Sequence, residues 1–191
     1  MNPSLHLPSL FDWAFSSNNP GYRPTVVELP HGDGRADTGK RYAHISSRYG
    51  LQGAPDSASE LWYSCLREAR ELTAKRDLPS PDPAECCLRV LEYPAGAGSE
   101  AHTDFDLLTI NVWRAPVEGL LVPARHHAGR VHFGELSPMF EGPEATWHAV
   151  APLPVPQRSI VLFVLPSRDT LLPDGQTVGQ WLDERKARSR A

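Results

Sequence analysis

The triplet His102-Thr103-Asp104 sets an imidazole and a carboxylate two residues apart. On an extended strand, residues i and i+2 share a face, so these two side chains form a two-point grip for a metal ion. A third donor must come from elsewhere in the fold, and His148, in the segment ATWHAV, is the candidate. Two histidines and one carboxylate on one side of a six-coordinate ion leave three positions open. That is the ligand set of non-haem iron(II) chemistry with O2. The triplet alone is cheap: a second copy, His31-Gly32-Asp33, stands in the glycine-rich stretch HGDGRADTGK with no strand pattern around it, and reads as a decoy. What distinguishes His102 is the pattern in which it is embedded.

Composition bounds what can hold such a site. The 191 residues are 40% hydrophobic and 22% charged, ordinary values for one globular domain spanning 1–191. A net charge of −4 gives no basic footprint for nucleic acid or an anionic membrane. The 19 prolines fall mostly between apolar runs, which suits many short elements joined by rigid turns. Three cysteines, two of them adjacent (Cys86 and Cys87), make neither a disulfide framework nor a CxxC zinc site, and fit a reducing cytoplasm. The N-terminus lacks a signal-peptide pattern, and the longest apolar run, Ile160 to Leu165, is too short to span a bilayer.

Over residues 59–76 the spacing of Leu61, Cys65, Ala69 and Leu72, widened by Trp62 and Leu66, predicts a helix with Ser59 as its N-cap. The run LPSPDP ends it. Beyond residue 80 the pattern changes to short apolar segments separated by turn residues: Cys86 to Tyr93, Leu107 to Trp113, Gly119 to Val122, Arg130 to Gly134, Thr146 to Val150 and Ser159 to Leu165. Strands at that spacing predict a sandwich or barrel. Thr25 to Leu29 reads as a further strand, and Thr177 to Arg188 as a closing helix.

The ordered segments LRVLEYPAGAGSEAHTDFDLLTINVW, GRVHFGELSPMFEGPEATWHAV, QRSIVLFVLP and TVGQWLDERKARSR resemble the isopenicillin N synthase-like branch of the iron(II)/2-oxoglutarate oxygenases over about residues 86 to 191. The resemblance implies a mainly β fold, a double-stranded β-helix or jelly roll over 86–166. An N-terminal helical part (1–80) and a C-terminal helix (177–189) would pack on it. It implies Fe(II) on His102, Asp104 and His148, with 2-oxoglutarate and O2 as co-substrates. Arg158, ten residues after His148, would meet the far carboxylate of 2-oxoglutarate with Tyr93 and Ser159 beside it. Such a site oxidises a small molecule through a high-valent iron oxidant, most directly by hydroxylation. Asn111, Trp113, Arg125 and the loop from Gly96 to Glu100 are the candidate substrate contacts.

Four departures stand out. Arg158 and Ser159 are adjacent where the family spaces them by one residue, so a regular strand sends them to opposite faces unless a bulge intervenes. The hairpin PARHHAG is short, Leu91 replaces an asparagine, and the N-terminal region is short. Two other readings follow: a 2-oxoglutarate-independent iron oxidase or cyclase of the same fold, and a non-catalytic metal- or sugar-binding jelly-roll module. Bland roles compete too: solvent for His126 and His127, and strand packing for His132.

Overall fold

The computed structural model describes residues 7–23, 40–47, 51, 54–116 and 131–188. In chain order these form α1 (Leu7–Ala14), β1 (Tyr22–Arg23), β2 (Arg41–Ile45), α2 (Asp56–Ala74), β3 (Cys87–Tyr93), β4 (Ser99–His102), β5 (Leu108–Pro116), β6 (Val131–Phe133), β7 (His148–Val150), β8 (Gln157–Val164) and α3 (Val178–Arg188). One antiparallel sheet has the order β1-β2-β3-β8-β5-β6, and a second pairs β4 with β7. The fold is mainly β, a double-stranded β-helix with helices from both ends of the chain. Among the described residues no helix is long and apolar enough to cross a membrane.

Alternation along β3, β8 and β5 decides which side chains meet which surroundings. On one face stand Leu88 and Val90, Ile160, Leu162 and Val164, and Leu108 and Ile110, all fully buried. They share a core with Leu10 and Phe11 of α1 and with Leu61, Trp62, Cys65, Leu66 and Ala69 of α2. Each buried Val, Leu, Ile or Phe among them stabilises the fold by about 1.5–3 kcal/mol. The other face carries Arg89, Leu91, Tyr93, Thr109, Asn111, Ser159, Val161 and Phe163, and lines a cavity shared with β4 and β7.

Several boundaries differ from expectation. Helix α2 begins at Asp56, not Ser59, with Pro55 as an extended N-cap at φ −63 and no side-chain cap bond. Proline has no N–H to leave unsatisfied, and the Asp56 carboxylate suits the positive end of the helix. The N-terminal part is not only helical, since it adds β1 and β2 to the edge of the larger sheet. At that edge a side chain on Gly21 would overlap the His44 carbonyl, so the turn into β1 requires glycine. The expected strands Thr25–Leu29 and Gly119–Val122 lie outside the described residues.

Helix α3 opens with a capping box. The Gln180 N–H donates to Thr177 Oγ1 (3.2 Å), and the Thr177 N–H donates to Gln180 Oε1 (2.9 Å). Its Val178 and Leu182 pack with Leu107, Leu136 and Leu172 in a second, smaller core beside the loop that follows β4. The three cysteines are free thiols. Burial pushes the Cys86 thiol up to about 12 and the Cys87 thiol to about 11.

Candidate metal centre

His102 is the last residue of β4 and His148 the first of β7, and the two are cross-strand partners. Asp104 lies two residues past the strand, in a loop rather than on the strand itself. One donor atom from each of the three lies within 4.8 Å of the others. Asp104 Oδ1 is 3.8 Å from His102 Nε2, and Oδ2 is 3.5 Å from His148 Nε2. Bonds near 2.1 Å to a common ion would set neighbouring donors roughly 3 Å apart, so the group fits a metal with little movement.

Each donor is oriented from behind, as metal ligands require. His148 Nδ1 lies 3.1 Å from the Thr146 carbonyl, which can only accept. The proton therefore sits on Nδ1, and Nε2 turns its lone pair toward Asp104 and His102. Ser99 Oγ lies 3.5 Å from His102 Nδ1. Thr109 Oγ1 stands 2.6 Å from Asp104 Oδ2 and 2.9 Å from Asp106 Oδ2. A hydroxyl has one proton to give, so the second of these short contacts needs a proton from a carboxyl. Burial, then the nearby Asp104 charge, pushes Asp106 well above the carboxylate range. Asp106 can thus hold that proton while Asp104 stays available to a metal.

The loop 103–107 is pinned at several points. The Glu135 N–H donates to the Asp104 carbonyl (2.8 Å) and the Leu136 N–H to the Asp106 carbonyl (3.1 Å). Thr103 donates to Glu135 Oε1 (2.6 Å), and Arg185 of α3 grips Glu135 through Nε and Nη2 at 2.7 and 2.9 Å. Burial works against the Glu135 carboxylate, but the bonds from Arg185 and Thr103 outweigh it and hold its pKa below the ordinary value. Gly134 lets the chain pass close to Asp106, because a Cβ there would overlap the Asp106 carbonyl and carboxylate.

Beyond the three donors, Tyr93, Ser159, Asn111 and Ser99 line the cavity, whose volume is about 100 Å³. His132, which sequence reasoning treated as strand packing, is buried but also lines the cavity. Its ring centre lies 4.4 Å from that of His148, and its Nε2 is 3.3 Å from Asn111 Nδ2.

Arg158 is not in the cavity, contrary to expectation. Its Nε donates to Glu92 Oε2 (2.7 Å), Arg41 engages Oε1 of the same carboxylate, and the Arg158 guanidinium carbon lies 5.0 Å from the Phe11 ring centre. The reason is strand parity. β8 is regular through Arg158 and Ser159, and Ser159 faces inward, so Arg158 faces outward. The bulge that would have reversed this sits instead in β5, between Asn111 and Trp113. The Trp113 side chain, Arg125, His126 and His127 lie outside the described residues. Sequence reasoning missed Thr109, Asp106 and Glu135 around the donors, and Arg89 and Lys40 in the cavity wall. A parity count along β3 from Tyr93 would have found Arg89.

No protein-family model and no curated protein sequence matches this chain. Solved structures do. A candidate oxygenase from Shewanella oneidensis is 18% identical over 98% of this chain and 86% of its own, with a TM-score of 0.64. A full-length Neurospora crassa protein, solved in complex with alpha-KG, is 15% identical over 98% of this chain and 84% of its own, at 0.61. A rice dioxygenase for auxin oxidation is 15% identical over 98% and 82%, at 0.57. At such identities the likeness is one of fold. The chain has the double-stranded β-helix found in these oxygenases, and a His-Asp-His group able to hold a metal lies within it.

Proposed function

We propose that this chain is an iron(II)- and 2-oxoglutarate-dependent dioxygenase that hydroxylates a small molecule. The observation that carries the proposal is the convergence of His102, Asp104 and His148 at the junction of β4 and β7, each held by its own partner. Two imidazoles and one carboxylate suit iron(II) and leave positions for co-substrate and O2. Neighbours of the same fold support it: the Neurospora crassa protein was crystallised with alpha-KG and thymine, and JOX2 with 2OG, Fe and JA.

When bound, iron(II) and 2-oxoglutarate supply the oxidising power. The protein's part is to hold and orient. His102, Asp104 and His148 fix the coordination. The Tyr93 and Ser159 hydroxyls reach a ligand's polar end, and Asn111 meets substrate beside His132. Leu91, Val161 and Phe163 keep the interior apolar and limit water.

The test is anaerobic addition of Fe(II) and 2-oxoglutarate, followed by the visible metal-to-ligand charge-transfer band. Wild type develops the band, and His102→Ala and Asp104→Ala do not. An unchanged band in either variant sinks the assignment. The outward position of Arg158 favours a second reading, an iron oxidase that uses no 2-oxoglutarate. Succinate release during aerobic O2 consumption separates the two: the dioxygenase makes it, and the oxidase does not.

A further inference from the structure

The cavity wall holds two cationic side chains, Lys40 and Arg89, and one acidic one, Asp104, which the proposed metal would ligate. Once that carboxylate is committed to a metal, a positive pocket wall remains. Arg89 is the better placed of the two to recognise an anion. It stands on β3 directly across from His44 on β2. Its Nε–H donates to His44 Nε2 at 3.0 Å. Its guanidinium carbon lies 4.5 Å from the Phe163 ring centre and 5.1 Å from that of Tyr42. Two aromatic faces and one neutral imidazole therefore fix the plane of the guanidinium. No carboxylate pairs with it among the described residues. A fixed fork whose terminal edge has no acidic partner is suited to take a carboxylate in two parallel hydrogen bonds.

The sheet register gives the direction in which such a carboxylate would lie. Arg89, Val161 and Asn111 occupy one rung across β3, β8 and β5. Asn111 meets His132, whose ring centre lies 4.4 Å from that of His148 at a 39° tilt. Two strand spacings, about 10 Å, separate the Arg89 and Asn111 backbones, with the apolar Val161 between them. A small acid lying across Val161 would have one end toward the metal donors and the other toward Arg89.

We propose that Arg89, braced by His44, Tyr42 and Phe163, is the anion anchor of this cavity and receives the carboxylate of a bound small acid, the task that the sequence pattern assigns to Arg158. The proposal deepens the oxygenase reading and rests on it for the nature of the ligand. The acid has two possible sources, the far end of 2-oxoglutarate or an acidic substrate.

The test compares Arg89→Leu, Arg89→Lys and Arg158→Leu with wild type. Iron(II)-loaded protein is titrated anaerobically with 2-oxoglutarate and with 2-oxobutyrate, which has the same chelating head and no second carboxylate. Phenylacetate, a monocarboxylate with no chelating head, is titrated by calorimetry. Losing a charge-assisted bidentate pair weakens binding by about 10- to 100-fold. If Arg89→Leu loses this much toward 2-oxoglutarate and little toward 2-oxobutyrate, the carboxylate is the co-substrate's. If 2-oxoglutarate binding holds and phenylacetate binding falls, the carboxylate is the substrate's. Arg89→Lys, which keeps the charge and loses the fork, gives an intermediate loss in whichever arm responds. A folding defect would weaken 2-oxobutyrate equally and shift the melting curve, which separates it from loss of an anchor. The proposal is overturned if Arg89→Leu changes neither arm, absence of phenylacetate binding included, or if Arg158→Leu produces the selective loss instead. Should wild type show no charge-transfer band, the oxygenase reading fails. Phenylacetate binding to metal-free wild type and Arg89→Leu then decides the anchor by itself.

Discussion

Replacing Thr109 with valine keeps the branched shape of the side chain and deletes one hydroxyl. That hydroxyl is 2.6 Å from Asp104 Oδ2 and 2.9 Å from Asp106 Oδ2, on a residue only 3% exposed. Water cannot easily replace it there. The variant leaves a carboxylate oxygen of the partly buried Asp104 without its donor, at a cost of about 1–3 kcal/mol. Asp106 loses the acceptor of its own proton and keeps the bond it accepts from the Val164 N–H at 3.3 Å. Partners one layer behind a metal ligand typically carry about 10- to 100-fold in metal affinity. Competition between Thr109→Val and a chelator of known affinity for Fe(II), under anaerobic conditions, should show a loss in that range. Thr109→Ser, which restores the hydroxyl, should recover most of it. Wild-type affinity in Thr109→Val would refute the argument that this bond orients Asp104.

Two further outcomes follow from the loop that carries Asp104. The folded pKa of Glu135 lies below its unfolded value, so its contribution to stability is full above the unfolded pKa and is lost as pH falls through the folded one. Urea unfolding of Glu135→Gln across the acid range should show lower stability than wild type near neutrality and a shallower decline on acidification; parallel pH curves would count against the Arg185–Glu135–Thr103 clamp. Gly134→Ala drives a methyl into Asp106 and should cost about 1–3 kcal/mol, read as a lower melting temperature together with weaker Fe(II) binding. An unshifted melting curve would show that the chain relaxes around the added methyl.

The features legible in the sequence are those governed by local periodicity. The 3.6-residue spacing of Leu61, Cys65 and Ala69 gave α2, because burial of one face imposes that repeat, and short apolar runs bounded by turn residues gave β3 and β8. β2 escaped notice: Arg41-Tyr42-Ala43-His44-Ile45 buries only Ala43 and Ile45 on one face, while Tyr42 and His44 on the other are too polar to read as a strand. The Ser59 cap was misplaced because proline and aspartate at positions 55 and 56 start the helix without a side-chain cap bond.

The donor residues belong to both levels. Their types and the two-residue spacing of His102 and Asp104 were sufficient to propose a metal, since ligand chemistry depends on residue identity. Preferring His102 to the His31 copy came from the ordered segments around it. Which further side chains share the cavity was a matter of parity and register over long range. A shift of one residue exchanges the two faces of a strand. Whether a bulge restores the phase depends on the neighbouring strand, and here it lies in β5 and leaves β8 regular. The sequence by itself therefore determined a β fold with a His-Asp-His donor set. Only the tertiary structure decided that Arg158 turns outward to Glu92 and that Arg89, Thr109 and His132 turn inward, because pairing between strands distant in sequence sets the phase of each.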